Sequence, residues 1–310
     1  MYKKSERVLK VKKKLGKSPE EKKKEVEDLL SKLQEGVINF KYEPEVYKAI
    51  LEMQALMPSY SFRNLMLLHA QNSTARYVAS FNHWKKLERN VKKGSKALRI
   101  LAPRFARERD ENTGSDEQKL IGFVSVPVFD VSQTEGKELP IEKHKLELKG
   151  DSEIAGTIYD AVVKVAAADN CRVTLGDGEG ANGYYSRLTH SIVIEKSNPP
   201  NQRAKTAVHE LVHSKVHRSD YKSSKEEKEC VAEGVAFIVC SYFGFDTSDY
   251  SFGYVQSWSS DNGESLLKYG EIIQKTAASI ILEFEALISP SSEEADVTVE
   301  SSNDTTVAVA

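Results

Sequence analysis

The sequence predicts an α+β protein of two domains. Capped runs with helical apolar spacing alternate with shorter, glycine-punctuated stretches of strand character. A polar stretch without periodicity, "EGKELPIEKHKLELKG", interrupts the chain near its middle. A length of 310 residues suffices for two cores of ordinary size. The expected division is a basic flexible arm at 1–17, a first domain at 18–135, a linker at 136–150, a second domain at 151–289 and a disordered acidic tail at 290–310.

The first helix begins at Ser18, a capping residue, with Pro19 at the first helical position and Glu21 completing a capping box. Val26, Leu29, Leu30 and Leu33 recur at helical spacing behind it. A second helix runs through "VYKAILEMQALM" and stops near Pro58; a third spans Ser61 to Asn72. Trp84 and Leu87 read as packing residues, Gly94 as a turn, and Lys96 to Leu101 as a strand. "LIGFVSVPVFDVSQT" is a second strand, with Pro127 marking an edge or bulge. In the second domain, helices are expected at about 154–169, after Pro200, at about 225–243 and at about 261–287, with a strand at Thr189–Glu195. The loop "GDGEGANG" lacks the Gly-Lys-Ser/Thr ending of a phosphate loop and contains two acids, so it reads as a hairpin turn or the rim of a site.

Charge is unevenly distributed although the formal net charge is only −2. Ten Lys or Arg residues and one acid, Glu88, lie between Tyr60 and Arg104, whereas the C-terminal end is acidic. No apolar run is long enough for a membrane span, and the basic N-terminus has no apolar segment behind it, so neither membrane insertion nor secretion is expected. Three scattered cysteines, Cys171, Cys230 and Cys240, make no disulfide framework and fit a reducing cytoplasm.

The chemistry concentrates in "HELVH", residues 209–213. Residues four apart share a helical face, so His209 and His213 can aim two imidazoles at one ion, while Glu210 can reach a water beside it. Catalytic zinc usually takes three protein ligands and leaves one position open. Glu229 and Glu233, also four apart, supply the third: Glu229 as ligand and Glu233 orienting a histidine, or the reverse. His217 follows His213 by four but reads as an exposed histidine beyond the helix, and Cys230 and Cys240 read as core. One zinc ion per chain is the expected cofactor. Tyr184 and Tyr185 are candidates for lining the cleft, with packing the favoured role.

Two long sets of motifs stand out: "YSFRNLMLLHAQNSTARYVASFNHWKKLERNVKKGSKALRILAP" with "VPVFDVSQTEG", and "GYYS", "KTAVHELVHSKVH" and "KECVAEGVAFIVCSYFGFDTSDYSFGYVQSW". Together they resemble the ArdC antirestriction family. The resemblance spans roughly residues 20–289. It implies a single-stranded-DNA-binding domain followed by a zincin-like metallopeptidase domain similar to the ImmA/IrrE peptidases. It further implies His209, His213 and Glu229 as ligands and Glu210 as general base, with Glu229, Ala232 and Glu233 matching the Glu-x-x-Ala-acid pattern of related zincins.

For DNA, the basic and aromatic residues nominate Arg63, Arg76, Lys85, Lys92, Lys93 and Lys96 for phosphates, and Tyr60 and Tyr77 for bases. The leading expectation is non-specific binding of single-stranded DNA joined to a zinc peptidase site, serving antirestriction or conjugation for a mobile element, with a protein or peptide as further partner. The alternatives are a non-catalytic zinc-containing DNA-binding or interaction protein, and a regulatory zinc protease whose N-terminal domain binds a protein.

Overall fold

The computed structural model describes residues 17–109, 116–139, 151–219, 222–245 and 250–288. Residues 1–16, 140–150 and 289–310, which hold most of the expected arm at 1–17 and linker at 136–150 and all of the expected tail at 290–310, lie outside the described residues. Two units result, each mixing helices with a small sheet.

Three helices open the first unit: α1 (Pro19–Ile38), α2 (Pro44–Leu56) and α3 (Phe62–Gln71). The capping box of α1 closes from both sides: the Glu21 N–H donates to Ser18 Oγ at 3.1 Å, and the Ser18 N–H donates to the Glu21 carboxylate at 2.7 Å. Leu29, Leu33 and Val37 form its buried stripe, whereas Leu30 is exposed. Then come β1 (Val78–Ala79), α4 (Phe81–Lys86), β2 (Arg89–Val91), β3 (Leu98–Arg109), β4 (Asp116–Asp130), a 3-10 turn (Val131–Gln133) and β5 (Thr134–Gly136). The sheet order is β1-β4-β3, with β2 pairing β5 separately. The open edge of β3 is closed by amides of α3. Asn64 exchanges two hydrogen bonds of 2.9 Å with the Leu101 backbone, and Gln71 pairs likewise with Arg99. Buried backbone groups thereby find partners without another strand.

The β3–β4 ribbon extends well beyond the strand expected at Lys96–Leu101. Its outer half shifts register between Arg104 and Phe105 and leaves Phe105, Leu120, Ile121 and Phe123 exposed. With neither face buried there, the sequence lacks the alternation that announces a strand. Pro127 pairs with Arg99 on one side only, because β1 reaches no further than Phe129, so the ring occupies an edge position.

The second unit starts with α5 (Asp151–Ala168) and a sheet ordered β6-β8-β7. Here β6 (Arg172–Gly176) runs parallel to β8 (Ser191–Glu195), and β7 (Gly183–Ser186) antiparallel to it. Strand β8 begins two residues later than expected, since Thr189 and His190 still belong to the preceding turn and His190 has positive φ. Helices α6 (Pro200–Val216), α7 (Lys225–Tyr242) and α8 (Glu264–Ile288) complete the unit, a 3-10 segment (Gly253–Ser260) joining the last two. At Gly234 a side chain would meet Ile273 Cδ1 at 2.7 Å, so glycine permits the close crossing of α7 and α8.

Both units contribute to one continuous core. Tyr47 of α2 is fully buried, edge-on to Phe252, Tyr254 and Trp258, and α2 packs against α7. Phe237 of α7 meets Phe252 in turn. Truncation of a buried aromatic ring loses transfer energy and leaves a cavity. Tyr47→Ala is therefore expected to lower unfolding stability by about 3–5 kcal/mol, measured by denaturant titration. A loss below about 1 kcal/mol would contradict the shared core.

Candidate metal centre

Helix α6 places His209, Glu210 and His213 on adjacent turns, and α7 brings Glu229 across from them. Three ligand atoms converge. His209 Nε2 lies 3.1 Å from His213 Nε2 and 3.2 Å from Glu229 Oε2, and His213 Nε2 lies 3.7 Å from the same oxygen. A tetrahedral ion with bonds of about 2.0–2.1 Å has ligand-to-ligand edges of about 3.3–3.4 Å. The observed triangle has that size. The donor set fits as well: two imidazoles and a carboxylate suit zinc, and Glu210 and Glu233 add two more carboxylates beside them.

The electrostatics follow from this crowding. Hydrogen bonds from His209 and His213 hold the Glu229 carboxyl well below the usual carboxylate range. Burial opposes a charged His209, but the Glu229 hydrogen bond and the charges of Glu210, Glu229 and Glu233 outweigh it and raise the imidazole's pKa. Burial raises Glu210 above its ordinary value, against the pull of both histidines. Burial also raises Glu233, opposed by His209 and by a hydrogen bond from the Ser251 backbone.

Glu233 thus reaches His209 through its charge, while its carboxylate accepts from Ser251. The histidine whose outward nitrogen is held by another side chain is His213: its Nδ1 lies 2.9 Å from Nδ1 of His217. His217 is 4 % exposed and caps α6, its N–H donating to the His213 carbonyl. This corrects the expectation of an exposed histidine. The helix ends at Val216, but its last turn folds the imidazole inward, a placement that spacing alone did not disclose.

A cavity of about 460 Å³ opens over the triangle, lined by His209, Glu210, Glu229, Glu233, Gly183 and Tyr250 among others. Edge strand β7 forms one side of it. The backbone of Tyr185 donates to the Glu210 carboxylate, while its hydroxyl pairs with His190 at 2.8 Å and its ring packs on the core. Tyr184, next along β7, pairs with Val193 and is half-buried. At Gly183 a side chain would meet Thr206 of α6 and the Val193 carbonyl, both at 2.8 Å, so glycine lets β7 lie close against the metal-site helix. The "GDGEGANG" loop is fastened by Glu195, which accepts from the Gly178 N–H; that bond and those from Ser197 lower its carboxyl to about 2.

The residues nominated for DNA separate into two groups. The Tyr60 hydroxyl donates to the Val78 carbonyl, and burial pushes it up to about 12. Tyr77 sits edge-on to Trp84. Arg63 pairs with Glu271 of α8 at 2.5 Å, between the two units. Arg76, Lys85, Lys92, Lys93 and Lys96 are exposed. Among the described residues no helix is long and apolar enough to cross a membrane.

Residues 19–134 match the N-terminal domain of anti-restriction factor ArdC, and residues 167–250 match the IrrE N-terminal-like domain. An uncharacterized Bacillus anthracis protein, pXO2-81, is 24% identical over 308 residues, covering 86% of this chain. The chain spans only 52% of that relative's length. Crystal structures of the antirestriction ArdC protein from plasmid R388 are also similar. The metal-free form has 21% identity and a TM-score of 0.47, covering 74% of this chain and 85% of that one; the Mn(II)-bound form has 20% identity and a TM-score of 0.44, covering 74% and 86%. The chain carries an ArdC-family N-terminal domain joined to an IrrE-like C-terminal domain.

Proposed function

We propose that this chain binds single-stranded DNA through its N-terminal unit and hydrolyses peptide bonds at a zinc site in its C-terminal unit, in the service of antirestriction or conjugation. The observation that carries the catalytic part is the tetrahedral-sized triangle of His209, His213 and Glu229 with a buried carboxylate, Glu210, beside it. The ArdC-family match supports the DNA part.

His209, His213 and Glu229 would hold the ion, and a zinc ion there supplies Lewis-acid chemistry that makes water a competent nucleophile at neutral pH. Glu210 accepts the proton as water attacks the peptide carbonyl and returns it to the departing amine. The Tyr185 N–H fixes the carboxylate in place. Beside the Tyr185 N–H that Glu210 holds, the edge of β7 can pair with an extended peptide through its other outward backbone groups, orienting the scissile bond over Glu210. Glu233 adds negative charge to the cleft and favours a basic side chain near the bond.

The test is hydrolysis of a mixed peptide library by zinc-supplied protein, with Glu210→Gln as control. Cleavage by the native chain alone supports the reading. A fully metal-loaded native chain that cleaves nothing in the library would instead favour the non-catalytic zinc-containing protein.

A further inference from the structure

The two tyrosines that the sequence nominated for base contacts are poorly placed for it, since one has its hydroxyl engaged with Val78 and the other packs on Trp84. Phe81 differs. It opens α4, the residue is 45 % exposed, and its ring stands steeply inclined to that of Phe129, at 67° and a centroid distance of 6.5 Å. Lys85, one helical turn on, holds its ammonium over the ring, 5.1 Å from the centroid, so a base stacks on that face when this flexible side chain swings aside to a phosphate.

The surroundings are basic and firmly built. Residues 76–96 and 129–137 together carry eight Lys or Arg residues against three acids. Two of those acids are already engaged. Asp130 is buried and accepts from the backbone of Arg76, Tyr77 and Ser132; Glu88 pairs with Lys137 at 2.6 Å. Trp84 Nε1 donates to the Phe129 carbonyl, Lys92 Nζ to the Ser132 carbonyl, and Gln133 Nε2 to the Lys96 carbonyl. These bonds tie α4, the lysine turn at 92–96 and the segment after Phe129 into one module.

Building on the single-strand reading above, we infer that Phe81 is the base-stacking platform of this module, with Lys85, Lys92, Lys93 and Lys96 serving the adjoining phosphates. An exposed ring among cations offers its π-face to any base, and only an unpaired base can lie on it. The outer β3–β4 ribbon also exposes Phe105 and Phe123, but the sequence between them carries five acids against three Lys or Arg residues, a net negative charge that disfavours a polyanion.

The experiment is binding of a fluorescent oligothymidine and of a duplex of equal length, across a salt series, to the native chain and to Phe81→Ala, Phe81→Trp, Phe105→Ala and the pair Lys92→Gln and Lys93→Gln. Phe81→Ala is expected to weaken single-strand binding about 5- to 150-fold, with an unchanged salt slope and unchanged duplex binding. Phe81→Trp is expected to retain it. The lysine pair is expected to flatten the salt slope by roughly 0.7 for each phosphate that is no longer neutralised. Circular dichroism checks that each variant is folded. Native affinity in Phe81→Ala, or a loss confined to Phe105→Ala, overturns the assignment of Phe81. A native chain that binds no single strand at low salt overturns instead the single-strand reading on which it rests.

Discussion

Glu210→Gln is expected to lower peptide hydrolysis by about 10²- to 10⁴-fold, the usual contribution of a positioned acid–base group. The amide nearly matches the carboxylate in shape and can still bond in the cleft, but it takes up no proton. Metal affinity should change little, because Glu210 stands beside the triangle of ligand atoms rather than in it. Single-strand binding should be untouched, since its proposed module lies in the other unit. The variant therefore separates catalysis from DNA binding. If DNA protection survives in Glu210→Gln, protection needs no proteolysis. Undiminished hydrolysis would remove Glu210 from the mechanism.

His217→Phe is expected to weaken zinc binding about 10- to 100-fold, the usual cost of losing a group that orients a histidine ligand. For His213 Nε2 to offer its lone pair to an ion, the ring proton must sit on Nδ1, and that nitrogen faces His217 Nδ1 at 2.9 Å. His217 thus acts through His213 as a positioning residue. Phenylalanine keeps the ring but removes the acceptor. His217→Asn places an amide oxygen near the vacated Nδ1 position and should restore affinity to within a few-fold. Chelator competition on folded samples reads both. Equal losses in the two variants would point to packing alone; no loss in His217→Phe would remove the positioning role.

Much of the fold and of the candidate site was legible because the signals were local. Ser18 with Glu21 announces a helix start, and a pair of histidines four apart announces a shared face whatever the rest of the chain does. The approach of Glu229 to that face depends on how α6 and α7 cross, and the family motifs supplied what spacing left open between Glu229 and Glu233. The missed features were set by tertiary geometry. His217 turns inward only because the last turn of α6 folds it back. The Tyr185 backbone reaches Glu210 only because β7 is an edge strand lying close to α6, which Gly183 permits. Tyr60 and Tyr77 are partly exposed, as a hydroxyl allows, but both pack against the core and the Tyr60 hydroxyl is engaged by Val78, while Phe81, chemically the more obvious core residue, is exposed. The sequence places a junction at 136–150 but says nothing of how the two units pack; Tyr47 and its aromatic neighbours contribute to a core that both share.

The most direct test of the central claim is the metal content of purified protein, native and with His209→Ala or Glu229→Ala, after zinc supply and removal of loosely held ions. The account predicts one zinc per native chain and none retained in either variant, with all three proteins folded by circular dichroism. Equal metal content in the three, or a folded native chain that retains no metal, would contradict it.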